Sequence, residues 1–196
     1  RDAIIALTGA DMQAKIDGQA CATWESTTVK AGQTLEMTFA ATGARGYIAI
    51  AGGIATEPLL GARATFHKAG VGGMEGYALK AGQVVPAGEG RGKPGRRVKK
   101  AARPVIRTDL RWEIEAVPGP NDDWIDEAGH LRFLSADWKL SSKSDRTGFR
   151  LDGPDWTFTD KAHNKLPEHG DEPSNILDQG YPLGAINLAG QTPIIL

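Results

Sequence analysis

Turn signals cut every apolar stretch of this chain short. Runs such as "AIIAL", "YIAIAGGIA" and "TPIIL" are separated by Asp17-Gly18, Ala31-Gly32, Gly52-Gly53, Ala81-Gly82 and Gly190-Gln191. Twenty-five glycines and 11 prolines in 196 residues supply this punctuation. Glycine reaches the positive φ that tight turns need, and proline lacks the N–H that a ladder hydrogen bond uses. Short strands joined by tight turns satisfy such a pattern. No alternation of long helix and strand appears, so a doubly wound sheet is disfavoured and a mainly β, barrel-like fold is expected.

Individual elements follow from local pattern. Residues 2–7 read as a strand, and "TGAD" after them as a turn. Asp17-Gly18 in "AKIDGQ" predicts a hairpin. "TTVKAGQTLEMTFA" predicts a second hairpin bending at Gly32, and "LKAGQVV" at 79–85 repeats the device of "VKAGQTL" at 29–35. "ARGYIAIAGGIA" reads as a buried strand whose Gly-Gly end permits close backbone approach. Trp112, Ile114 and Ala116 alternate with Glu113 and Glu115, predicting a strand. "NDDWIDEAGHLRFLSADWKL" is the most helical stretch, with Asn121 or Asp122 as its cap. "WKLSSKSDRTGFRLDGP" predicts strand, turn, strand. Residues 157–180 read as a long polar loop, and 181–196 as two last strands about Gly190-Gln191.

Three segments emerge: a first β-rich subdomain at 1–87, a basic Gly/Pro-rich linker at 88–111, and a second β-rich subdomain at 112–196. Hydrophobic residues form 40% of the chain, enough for a packed core. A net charge of -1 gives no global attraction to nucleic acid or membrane, and the basic linker has no aromatic side chains for base stacking. The apolar runs are far shorter than the roughly 20 residues of a membrane helix. A lone cysteine, Cys21, excludes an internal disulfide framework and fits a reducing cytoplasm. The abrupt Arg1 and Leu196 ends suggest a piece of something longer.

The sequence holds no nucleophile elbow and no P-loop. His67, His130, His163 and His169 lack metal-ligand spacing, so no metal is expected. The glycine-rich "GVGGMEG" at 70–76 is either a bulged turn or an anion-binding nest of amides. Three polar clusters remain. "GPNDDW" holds two adjacent acids, Asp122 and Asp123, before a possible helix, and reads first as a cap with Trp124 packed. "SKSDRTGFR" is an Asx-turn with solvated arginines, or Arg146 and Arg150 form a fork for a carboxylate or carbonyl. "GDEPSN" is a proline turn, or Ser174 and Asn175 read an amide or urea group through paired donors and acceptors.

The ordered set "GYIAIAGGIATEPLLGARATFHKAGVGGMEGYALKAGQVVP", "VPGPNDDW", "FLSADWKLSSKSDRTGFRLDGP" and "ILDQGYPLGAINLAGQTPIIL" resembles the biotin-dependent carboxyltransferase family. That family includes the carboxyltransferase domain of urea carboxylase, allophanate hydrolase subunit 2, the C component of 5-oxoprolinase and the sporulation-related protein KipA. The resemblance implies cyclophilin-like β-barrels with a few short helices, within a longer protein. It implies a partner similar to allophanate hydrolase subunit 1 or the B component of 5-oxoprolinase, and a small amide or urea-type substrate. ATP would enter through a partner subunit or domain, and biotin, if used, on another chain. Within the matching motifs, Asp145, Arg146 and Arg150 are the expected catalytic residues. Arg63, Asp123, Ser144, Ser174 and Asn175 are the expected substrate contacts. Glu172 stands where the urea carboxylase pattern has histidine, and Thr147 and Phe149 replace Met and Tyr of the stand-alone subunits. The KipA resemblance implies the alternative of a non-catalytic regulator that sequesters a partner acting on a kinase.

Overall fold

Ile5 and Leu7 turn to the same side of an extended segment and start the core of the first half of the molecule. The computed structural model describes residues 1–177 and 179–196. It divides into two units, Arg1–Glu113 and Ile114–Leu196. Unit 1 carries β1 (Ala3–Asp11), β2 (Lys15–Ile16), β3 (Gln19–Ala20), β4 (Ser26–Val29), β5 (Leu35–Glu36) and β6 (Thr42–Ile50). One antiparallel sheet has the order β4-β1-β6 and a second the order β3-β2-β5. Ile5, Leu7 and Ala14 are buried, with Val29, Leu35 and Ile50 packed on them. Burying a side chain the size of Ile5 or Leu7 contributes about 1.5–3 kcal/mol.

The Asp17-Gly18 hairpin forms as its dipeptide predicts. Both residues have positive φ, 48° and 81°, and Ile16 pairs with Gln19. The two "KAGQ" segments fold alike. Gln33 N–H donates to the Lys30 carbonyl, and the Gln33 side chain accepts from Lys30 N–H at 2.8 Å. Lys80 and Gln83 repeat both bonds. Gly32 and Gly82 have φ of 87° and 84°, which an L side chain would strain. The first turn does not join a hairpin, however. β4 pairs with β1, whereas β5 pairs with β2, so the chain crosses between sheets at Gly32.

Other expectations are corrected. "TGAD" is part of β1, and Gly9, at φ 83°, marks an irregularity in its register with β6. Inward positions pass from Leu7 to Ala10 there. β6 is not buried: Tyr47 is 61% and Ile48 44% exposed, because β6 is an edge strand with only β1 beside it. Its Gly-Gly end does bring backbones together. A Cβ on Gly52 would lie 2.4 Å from the Gly88 carbonyl oxygen. The basic segment 88–111, expected between two subdomains, falls within unit 1, and Gly88, Gly95 and Val98 donate backbone hydrogen bonds to Gly53, Ser26 and Trp24.

Unit 2 carries α1 (Glu127–Ser135), β7 (Lys139–Leu140), β8 (Phe149–Asp152), α2 (Asp160–His163), β9 (Ile186–Ala189) and β10 (Thr192–Ile195). Its sheet is antiparallel with order β7-β8-β10-β9. Trp156, 3% exposed, meets Trp138 at 5.9 Å and Phe158 at 6.3 Å between ring centroids, with Phe133 also against Trp138. The strand expected at 112–116 does not form, and Trp112 and Ile114 are largely exposed. Asn121 precedes only a short 3-10 turn at Asp122–Trp124. The helix cap is Asp126, whose carboxylate accepts from Gly129 N–H at 2.6 Å. The polar stretch 157–180 contains α2 and a 3-10 turn at Pro167–His169.

The architecture is therefore mainly β with few short helices, as expected. All three sheets are open in strand order among the described residues. No helix among the described residues is long and apolar enough to cross a membrane.

Candidate functional site

The β7–β8 connection is built around Asp145. Its N–H donates to the Gly148 carbonyl and Gly148 N–H donates back, so Arg146 and Thr147 form the tip of a two-residue turn. The Asp145 carboxylate accepts from Thr147 N–H at 2.8 Å and from the Thr147 hydroxyl. This is the Asx-turn geometry. Gly148 is buried, and a Cβ there would lie 2.5 Å from Ile194 Cγ2, so glycine lets the turn settle on β10. The Ser144 hydroxyl accepts from Arg150 N–H at 2.9 Å and lies 3.1 Å from the Arg150 carbonyl, to which it donates. Ser144 and Asp145 thus shape the hairpin.

The arginines stand differently. Arg146 is exposed at the turn tip. Arg150 lies on β8 opposite Ile194 and is half-buried. Its guanidinium makes no hydrogen bond or ion pair among the described residues, whereas its backbone groups are engaged. A half-buried fork of donors suits a carboxylate or a developing oxyanion.

A second polar group forms around Lys165. Its ammonium donates to the Glu172 carbonyl and, at 2.9 Å, to the Asn175 carbonyl. It also sits 5.8 Å from the Trp124 ring centroid, a cation–π contact. Asn175 N–H donates to the Glu172 carbonyl, closing the 172–175 turn that Lys165 grips at both ends. Ser174 Oγ accepts from Gly190 N–H at 2.7 Å, holding the turn against the β9–β10 connection. His169 packs near Trp124 and accepts from Leu177 N–H through Nδ1 at 3.2 Å. Asn175 is exposed, and its side-chain amide has no hydrogen bond among the described residues. Asp123 forms an ion pair with Lys161 of α2, and its carbonyl accepts from Thr159. "NDDW" and "GDEPSN" therefore converge, through Lys165 on Trp124.

The two groups occupy opposite ends of β10. Gly190 precedes β10, while Arg150 pairs with Ile194 and Phe149 with Ile195. Gln191, Thr192 and Pro193 lie between Gly190 and Ile194. The expected residues form two separate subsites. Arg63 belongs to unit 1, where its Nε donates to the Thr56 carbonyl at 2.7 Å. A concavity of about 510 Å³ in unit 1 is lined by Cys21, Ser26, Thr28, Lys30 and Gln33 among others, and by none of the expected residues. Burial pushes the Cys21 thiol above its ordinary value, which lowers its thiolate content.

The glycine-rich segment at 70–76 packs closely on Ala64, Thr65 and itself. A Cβ on Gly72 would lie 2.3 Å from the Ala64 carbonyl oxygen, and one on Gly76 2.0 Å from that of Gly70. These glycines serve close packing. Among the described residues no three His, Cys, Asp or Glu side chains converge as metal ligands.

Lys165, His169 and Gln191 carry much of this arrangement, and sequence pattern alone does not single them out for it. Gln191 clamps Trp156, accepting from its N–H at 2.8 Å and donating to its carbonyl at 3.0 Å. Nothing local marks these residues, because each acts on backbone groups seven or more residues away.

Comparison with known proteins agrees with this architecture. Residues 1–196 match the family described as carboxyltransferase domain, subdomain A and B. The C component of Escherichia coli 5-oxoprolinase is 36% identical over 195 residues, 97% of this chain and 60% of that protein. The urea amidolyase of Saccharomyces cerevisiae is 33% identical over 202 residues, covering 100% of this chain and 11% of that protein. The crystal structure of the K. lactis urea amidolyase superposes with a TM-score of 0.86 at 30% identity, covering 100% of this chain and 12% of that one. The chain thus spans less than two thirds of the length of these relatives. It belongs to the carboxyltransferase-domain family, subdomains A and B.

Proposed function

We propose that this chain is the substrate-handling part of an ATP-linked, amide-processing enzyme of the 5-oxoprolinase or urea carboxylase type. The observation that carries this is Arg150: a half-buried guanidinium, unpartnered among the described residues, on the strand that leaves the turn carrying Arg146. Together they would hold a substrate carboxylate, or the anion that develops as an amide carbonyl is attacked. Ser144 and Asp145 act by fixing the hairpin, and Asn175, on the other subsite, offers an amide-recognising side chain. In a 5-oxoprolinase-type reaction the substrate is a cyclic amide bearing a carboxylate, which matches a guanidinium fork.

ATP belongs on the partner. This chain carries no P-loop pattern to cradle its phosphates. The partner would be a protein like the B component of 5-oxoprolinase or allophanate hydrolase subunit 1. Biotin, if the reaction is a carboxyl transfer, would arrive on another chain.

The test uses the full-length protein with that partner. ATP-dependent turnover of 5-oxoproline or of urea is the expected result. Partner binding without turnover of either substrate would overturn the enzymatic reading and leave a regulator.

A further inference from the structure

The basic segment 88–111 plays no part in either subsite. It contains nine Lys and Arg against two acids, Glu89 and Asp109, in a chain whose total net charge is -1. The rest of the molecule is therefore acidic, and the positive charge is gathered in one stretch. Like charges held this close repel one another and disfavour the compact state.

That stretch is not loose where its cations are densest. Ser26 N–H donates to the Arg96 carbonyl at 2.8 Å, Arg96 N–H donates to Ser26 Oγ at 3.0 Å, and Ser26 Oγ donates to the Lys93 carbonyl at 3.0 Å. Gly95 and Val98 add backbone bonds to Ser26 and Trp24. Further on, Arg103 Nε donates to the Val98 carbonyl, and Ile106 packs over Gly43. The backbone is strapped to unit 1 while the charged heads point outward. Arg97 pairs with Glu25, and Arg107 with Asp109. The side chains of Arg91, Lys93, Arg96, Lys99 and Lys100 are exposed and make no hydrogen bond or ion pair among the described residues.

We propose that this strap is a docking surface for an acidic polypeptide. A strapped backbone presents its cations at fixed spacing, so less order has to be imposed on binding. Charge complementarity then supplies rate and specificity. The strap lacks aromatic side chains for stacking nucleic-acid bases. Its described elements are a turn at Pro94-Gly95 and a 3-10 turn at Lys100–Ala102, and it is no amphipathic helix of the kind that lies in a lipid surface. Beside it, Pro94 and Gly95 border the unit 1 concavity together with Glu25, which Arg97 already pairs, and Lys30, whose ammonium suits a carboxylate.

The experiment uses the full-length protein and three labelled probes: poly-L-glutamate, oligo-dT, and vesicles containing phosphatidylserine. Poly-L-glutamate is expected to bind best, with affinity falling about tenfold between low and physiological salt. Changing Arg91, Lys93, Arg96, Lys99 and Lys100 together to Gln should weaken it by about tenfold or more at an unchanged melting temperature. A control variant removes five exposed cations elsewhere, with Lys15, Lys68, Lys80, Lys139 and Lys143 changed to Gln, and should bind much as wild type does. Equal loss in both variants would show a response to net charge alone and overturn the proposal. So would preference for oligo-dT or vesicles, or undiminished binding by the strap variant.

Discussion

Single side chains in this molecule act largely on backbone groups. Asp126 is an example: it accepts from the Thr157 hydroxyl and from Gly129 N–H, and these bonds hold its carboxyl below the usual carboxylate range, in that order of effect. A depressed folded-state value means the cap stabilises above the unfolded carboxylate value and is lost as pH falls through the folded one. The contribution of Asp126 should therefore persist at neutral pH and vanish only in acid, which an NMR titration of its carboxyl carbon would show. Asp126→Ala should lower the melting temperature by about 5 °C at pH 7 and by less in strong acid. Lys165 acts on the chain in the same manner. Lys165→Met should raise amide exchange at Asn175 and Leu177 by about tenfold in hydrogen-exchange measurements, leaving β1 protected. Lys165→Arg should restore most of that protection, because a guanidinium can also donate to two carbonyls over an indole.

Elements show which parts of this fold can be read in advance. Asp17-Gly18 and the two "KAGQ" turns are legible because turn chemistry is local: a positive φ and a side chain reaching three residues back. The final strands and the "SDRTGFR" hairpin are legible for the same reason. The strand expected at 112–116 fails because alternation alone cannot supply a partner ladder, and none pairs with it among the described residues. The burial expected of β6 fails because edge position is a property of the sheet. The helix cap lies at Asp126 and not at Asn121, because Thr157, far along the chain, completes the site there. Close backbone approach can be tested directly. Gly52, at φ 91°, cannot take a Cβ without meeting Gly88, so Gly52→Ala should cost about 1–3 kcal/mol in chemical denaturation. If stability is unchanged, the 52–88 contact is not a fixed part of unit 1.

At the scale of the whole molecule, the candidate residues are legible as a set but not as an arrangement. Residue type and motif order pick out Asp123, Ser144, Asp145, Arg146, Arg150, Ser174 and Asn175. Only the strand register separates them into two ends of β10, and only the hydrogen bonds distinguish the residues that shape the hairpin from the arginine that is left to bind. The proposed function then rests on Arg150 acting within the full-length protein and the partner proposed for it. The most direct measurement compares ATP-dependent turnover of 5-oxoproline with that of 2-pyrrolidinone, the same ring without its carboxylate, in wild type and Arg150→Gln. Loss of a charge-assisted hydrogen bond of about 1.5–3 kcal/mol predicts that the wild-type preference for 5-oxoproline in kcat/KM falls by about tenfold or more, with the melting temperature unchanged. An undiminished preference in a folded Arg150→Gln protein would contradict the assignment of the substrate carboxylate to Arg150.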